Sequence, residues 1–372
     1  MLVVDSNTQV SSCIQDVATW FCSSGIQTQA GGVARFYRSD TGANAPVSTE
    51  ITGYAVSALL YLHNLTGEQS LQSGASSAVR FLTRIAWNPH LETIPFEPVA
   101  HSESTNGLAY FFDCGIICRG LLAWWHHSGD REALKMAVAC GEAMARDFRL
   151  AGSSPGEFAP VIELPSKAAL PLESRWSRSP GCYQLKAAMA WLELADVVRD
   201  AKYRHWYDEA LDAALGSQEQ FLPDPAGEER TMDRLHAYCY FLEGLLRAAT
   251  RPGMVDALRH GMERVSLYLD RIEGRFARSD VYAQLLRVRL FADTLGLVPL
   301  DTGRAAHEAS SALSFQRLEP GHRHHGGFWF GRRDGSLLPY VNPVSSAFCA
   351  QALEMWQRRT QGRPNPNLVE LI

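Results

Sequence analysis

A rhythm in the connections narrows what this chain can fold into more than any single motif does. Apolar residues recur at helical spacing along nearly the whole sequence, in about twelve amphipathic segments: 9–24, 49–65, 70–87, 111–128, 131–148, 179–199, 203–219, 233–249, 254–270, 279–295, 302–315 and 342–359. Strand signals are almost absent. The links after the even-numbered segments are short: LTGEQS (65–70), HSGDRE (127–132), VRDAKY (198–203), TRPGM (250–254) and LGLVPLD (295–301). Several carry the Gly or Pro that ends a helix and reverses the chain. The links before the even segments are longer: 25–48, 88–110, 149–178, 220–232, 271–278 and 316–341. They hold Gly, Pro, aromatic and charged residues, the character of functional loops on a helical scaffold.

The even segments also resemble one another, as in TGYAVSALLYLHNLTG, CGIICRGLLAWWHHSGD and HAYCYFLEGLLRAATRPG. Each opens on small or polar residues and runs into Ala/Leu-rich sequence, a recurrence that marks repeated supersecondary units. Six hairpins with one apolar class of helix predict an all-α fold, a single (α/α)6 toroid over 1–372. The even helices form its inner ring. An open α-solenoid is the alternative, disfavoured by irregular loops and the lack of a tight repeat length. In the toroid all inner helices run parallel. Their N-termini, with unpaired N–H groups and partial positive charge, meet on the face that bears the long loops.

Composition excludes several classes. Hydrophobic residues make up 46% and charged residues 20% of the 372, enough for a core and against global disorder. With a net charge of −5 and no long Lys/Arg block, no nucleic-acid groove is expected. No stretch suggests a membrane span, and the N-terminus lacks the pattern of a secretory leader. Most of the eight cysteines lie inside apolar helical patterns, as buried reduced thiols do, so a cytoplasmic location is expected.

Polar and aromatic residues recur where the inner helices begin. STEITGY supplies Glu50 and Tyr54, and FFDCGIICR supplies Asp113 and Arg119. ESRWSRSPGCYQLK supplies Arg175, Trp176, Tyr183 and Lys186, and RLHAYCYFLEG supplies His236, Tyr240 and Glu243. RSDVYAQLLR supplies Arg278, Asp280, Gln284 and Arg287, and PYVNPVSS supplies Tyr340, Asn342 and Ser345. Singly, the acids could be ordinary helix-start residues and His236 a core histidine. Together they suit a sugar site, in which aromatic faces stack on rings, carboxylates bind hydroxyls, and a carboxylate pair serves as acid and base. The arginines favour a carboxylate-bearing sugar.

This pattern resembles the six-hairpin glycosidase-like superfamily of (α/α)6 barrels. It also resembles uncharacterised bacterial proteins of polysaccharide gene clusters, chiefly in STEITGY, FDCG, the segment 236–244 and GGFWF. The resemblance implies carbohydrate chemistry: glycoside hydrolysis, uronate elimination, or epimerisation. No family's diagnostic catalytic motif is matched, so the residue roles rest on position alone.

The stretch GHRHHGGFWFGRRDG (321–335) precedes the last inner helix. Phe328 and Trp329 are expected as a sugar platform there, and His324 or His325 as a binding or proton-transfer group. The histidines lack the i, i+4 spacing of a helical metal site, and Cys114 and Cys118 have no second cysteine pair, so no metal or other cofactor is expected. No phosphate loop and no nucleophile elbow is present. The expected activity is hydrolysis of a glycosidic bond in an oligosaccharide or polysaccharide containing uronic acid, with Glu50, Asp113, Glu243 and Asp280 as candidate acids. The alternative is elimination or C5-epimerisation at a uronate, with His236 or Lys186 as base. A non-catalytic glycan-binding scaffold is the third possibility.

Overall fold

The computed structural model describes residues 6–98, 107–150, 152 and 154–372. Twelve α-helices dominate: α1 (Ser6–Ser23), α2 (Thr49–Thr66), α3 (Gln69–Phe81), α4 (Phe111–Ser128), α5 (Arg131–Asp147) and α6 (Gln184–Val198), then α7 (Ala201–Phe221), α8 (Glu228–Leu245), α9 (Met254–Ile272), α10 (Ser279–Thr294), α11 (Thr302–Leu313) and α12 (Pro343–Thr360). The even helices pack in sequence, α2 on α4 through to α10 on α12, and α12 returns to α2. That contact closes the ring. The five short links join α2 to α3, α4 to α5, α6 to α7, α8 to α9 and α10 to α11. The sixth pair is made by the ends of the chain, with α1 lying on α12.

Burial separates the two rings. In α4 every residue from Phe111 to Leu122 is buried, whereas α9 buries a stripe that includes Leu258, Met262, Val265 and Leu269. An inner helix touches neighbours on both flanks and an outer helix behind, so it is apolar nearly all round; an outer helix covers one face only. The short turns are capped from sequence: Asp130, Asp200 and Asp301 accept from the first backbone N–H groups of α5, α7 and α11. The inner helices approach closely where side chains vanish. A Cβ on Gly120 would sit 2.5 Å from the Gly53 carbonyl oxygen, and one on Gly115 2.6 Å from the Ala187 backbone.

Two local expectations differ. α6 begins at Gln184 rather than at 179, because Pro180 has no N–H to donate and disfavours helix in the residue before it. The long loops are not strandless. Among the described residues, ten strands of two to four residues knit them into a collar. Tyr37–Arg38 pairs with both Ala43–Asn44 and Tyr340–Val341, Gly107–Tyr110 with Val161–Leu164, and Phe276–Arg278 with Gly331–Arg333, all antiparallel. Such short pairings satisfy loop backbone groups without the alternation that would reveal them in sequence. Among the described residues no helix is long and apolar enough to cross a membrane.

Candidate active site

The collar surrounds the N-termini of the inner ring. Glu50 and Asp113 stand in the first turns of α2 and α4. Burial pushes the Glu50 carboxyl up to about 7. Burial, and then the neighbouring Glu50 charge, push Asp113 well above the usual carboxylate range. Two desolvated carboxyls this close do not both ionise readily, so one retains a proton near neutrality. Glu50 is half-buried and within reach of solvent, while Asp113 is buried with its Oδ2 unpartnered.

His236 of α8 forms the second titratable centre. Its Nδ1 lies 2.7 Å from Gln284 Oε1 and 3.5 Å from Asp280 Oδ2. Both neighbours accept, so Nδ1 carries the proton and Nε2 keeps its lone pair. Burial lowers the imidazole pKa to about 4, against the opposing pull of Asp280, so the ring is neutral at physiological pH. Asp280 itself is gripped by Arg278, with Nε 3.0 Å from Oδ1 and Nη2 2.7 Å from Oδ2. Burial raises the Asp280 pKa, but Arg278 and His236 outweigh it and hold the carboxyl below the usual range. Asp280, expected as a candidate acid, is therefore an ion-paired carboxylate beside the imidazole.

Aromatic side chains join the two centres. Tyr240 lies 4.6 Å from His236 and 4.7 Å from Phe112, centroid to centroid, and the Tyr54 ring packs on Phe348. Burial raises the Tyr54 hydroxyl, followed by the charges of Tyr240 and Glu50, which places all three groups together. Trp176 is half-buried and stands edge-on to Tyr183 at 5.0 Å and to His236 at 6.3 Å. Tyr183 donates to the Ser179 carbonyl at 3.0 Å. Tyr110, missed from sequence, is half-buried just before α4, with Arg178 5.5 Å over its ring. Its signal was only that of an aromatic at a helix start. Arg175 is exposed, and among the described residues neither it nor Arg178 has a carboxylate within ion-pair reach. Asp113 Oδ2 and Gln284 Nε2 are buried without hydrogen-bond partners, as suits groups that wait for ligand hydroxyls.

Deeper in the ring lies an ionic layer built from residues that the sequence assigns to the mouth. Glu243 is fully buried, with Oε1 2.5 Å from Arg287 Nη2 and Oε2 2.9 Å from Lys186 Nζ. Arg119 pairs with Glu193 at 2.8 Å. Glu243, Lys186 and Arg119, expected at the mouth as catalytic and substrate-binding residues, thus lie deeper in the ring, in ion pairs with protein groups. The end of the chain completes it. After α12 the tail turns back into the ring and buries Leu371 and Ile372. Arg119 Nη2 donates to the Leu371 oxygen at 2.7 Å, Lys186 Nζ to the Ile372 oxygen at 2.9 Å, and Gln351 Nε2 to the Glu370 oxygen at 2.8 Å. On the far side of the tail is a separate cavity of about 560 Å³, lined by Tyr61, His127, Arg247 and Val369 among others.

The 321–335 stretch is also relocated. Phe328 is wholly buried and Trp329 nearly so, its ring 5.3 Å from His324, so neither presents a face to a sugar. Gly326 and Gly327 pack on Asp16 and Trp20 of α1, and His325 beside them is half-buried, its Nδ1 buried without a hydrogen-bond partner. Asn342 caps α12, its Oδ1 accepting from Val344 N at 2.8 Å and Ser345 N at 3.3 Å. Cys114 and Cys118 are buried thiols, and Cys118 donates to the Ala137 carbonyl at 3.2 Å.

Closed ring, parallel inner helices and polar mouth define the six-hairpin (α/α)6 toroid. No protein-family model matches the chain, and no curated protein matches it in sequence. Solved structures do match. Cellobiose 2-epimerase from Spirochaeta thermophila superposes with a TM-score of 0.72 at 15% identity, covering 96% of both chains. A D-mannose isomerase gives 0.67 at 10% identity, over 95% of this chain and 100% of the other. A variant of unsaturated glucuronyl hydrolase from Streptococcus agalactiae gives 0.61 at 11% identity, over 96% of this chain and 93% of the other. At these identities the likeness is one of fold.

Proposed function

We propose that the mouth is the active site of a carbohydrate-processing enzyme that hydrolyses a glycosidic bond, with Asp113 as general acid and Glu50 as general base. The observation that carries this reading is a pair of carboxyls in the first turns of adjacent inner helices, both raised by burial and Asp113 raised further by the Glu50 charge. Asp113, the more buried, keeps its proton and gives it to the leaving oxygen. Glu50, nearer solvent, draws a proton from the attacking water. Trp176 and Tyr110 offer faces for sugar rings. With Arg119 and Arg278 committed to protein carboxylates, Arg175 and Arg178 are the cations left to receive a uronate. The fold neighbours that act on sugars support the substrate class.

His236 supports a second reading. Its Nδ1 is tied to Gln284 and Asp280, which leaves Nε2 as the atom that would take a carbon-bound proton in epimerisation, isomerisation or elimination; that role requires bound substrate to raise the imidazole from its lowered pKa of about 4.

The test is a panel of neutral and uronate oligosaccharides with three readouts on each: new reducing ends, ultraviolet absorbance of an unsaturated sugar, and deuterium uptake from heavy water. Hydrolysis predicts reducing ends alone, lowered about 10²–10⁴-fold by Asp113→Asn or Glu50→Gln. Deuterium uptake or absorbance, abolished by His236→Ala, would replace the first reading with the second.

A further inference from the structure

We infer that Glu319, His322 and His324, on the loop between α11 and α12, form a binding site for a divalent transition-metal ion, zinc in the first instance. One carboxylate oxygen and two imidazole nitrogens lie within 4.8 Å of one another. His324 Nε2 is 3.0 Å from Glu319 Oε2, and the two imidazole rings stack with centroids 5.1 Å apart. Two histidines and one carboxylate suit a borderline ion; magnesium or calcium would call for oxygen donors alone. Three protein ligands leave a coordination position for water.

Sequence spacing argues against such a site, because the histidines do not share a helix face. The loop's own turns supply the convergence. His322 N donates to the Glu319 carbonyl at 3.2 Å, His325 N to the His322 carbonyl at 3.0 Å, and Gly327 N to the His324 carbonyl at 3.0 Å. The curl is fastened from outside. Trp20 Nε1 donates to the Arg323 carbonyl at 3.0 Å, and Arg323 donates to the Ser24 carbonyl at 2.8 Å and lies 4.7 Å over the Tyr37 ring. Gln316 Nε2 donates to the Gly326 carbonyl at 2.9 Å. Gly326 has φ +87°, and a Cβ there would lie 2.3 Å from the Asp16 carbonyl oxygen, so the backbone fits only as glycine. Donors held this firmly lose little freedom when an ion arrives. Glu319 and His322 are exposed, which gives the ion an entry path, and His324 is buried.

The site lies outside the cleft and shares no residue with it. Its effect on the mouth runs through Trp329. The Trp329 ring packs on His324, and its carbonyl accepts from Ser279 Oγ at 2.7 Å at the start of α10. An ion on His324 thus fixes one post of the collar, and Trp329 reports its arrival.

Untagged protein, stripped with chelator and desalted, is titrated with Zn2+ by calorimetry and with Co2+ by visible absorption. The expected result is one equivalent per chain, a raised thermal midpoint, and visible Co2+ bands of a four- or five-coordinate nitrogen–oxygen site. Affinity should fall about tenfold or more in His322→Ala and in Glu319→Gln. Tryptophan emission should respond to the metal in the parent protein and not in Trp329→Phe. His322 is exposed, so its replacement leaves folding intact and keeps the test decisive if His324→Ala fails to fold. Absence of stoichiometric binding, or binding that none of these changes weakens, overturns the proposal. Neither outcome depends on glycan turnover.

Discussion

Glu50 and His236 both bear on Tyr240, yet burial moves their pKa values in opposite directions, and stability should record both. For His236 the folded value of about 4 lies below the unfolded value of about 6.5, so between them the unfolded chain holds more protons. Its contribution is present above about pH 6.5 and is lost as pH falls toward 4. Glu50 rises from 4.5 to about 7, so the folded chain holds more protons, and its contribution is lost as pH climbs through that window. The two slopes oppose each other between about pH 4.5 and 6.5. Urea denaturation across that range, with one variant for each group, separates the two contributions. His236→Gln should be relatively more stable toward acid, and Glu50→Gln relatively more stable toward neutrality, each by up to about 3 kcal/mol. Parallel pH curves for all three proteins would refute the assignment.

Among the elements, the inner ring depends on glycines where helices nearly touch. Gly115→Ala would drive a methyl to 2.6 Å from the Ala187 backbone across the α4–α6 contact. We expect a loss of about 1–3 kcal/mol and a lower thermal midpoint, since backbone cannot yield as a side-chain tip can. The tail acts as an element of equal weight. Replacing Leu371 and Ile372 by Asp removes apolar burial and disturbs the donors Arg119 and Lys186, and should lower the midpoint further. A midpoint unchanged in both variants would mean that neither contact supports the ring. The helices were legible because a 3.6-residue period sustained over three or more turns suits a helix and no strand. The collar strands and the tail were not, because two to four extended residues and a single buried dipeptide have no period to read.

For the molecule as a whole, ring closure was legible in the alternation of link lengths, and the mouth in the polar residues that begin each inner helix. Depth and partnership were not. Glu243 and Arg119 have the same residue types as Glu50 and Arg175, and only the folded ring shows which are paired deep within it and which stand at the mouth. Phe328 and Trp329 likewise revealed aromatic character but not which way they face. The proposed hydrolysis at the mouth therefore rests on a pair of carboxyls, Glu50 and Asp113, that have no ion-pair partner among the described residues. Site-resolved carbon-13 titration of carboxyl-labelled protein tests that pair without any substrate. We expect Glu50 to titrate near 7, Asp113 to titrate well above the ordinary carboxylate range, and Glu50→Gln to bring Asp113 down. Independent titration of both groups near their ordinary values of about 4 would rule the pair out as the catalytic acid and base.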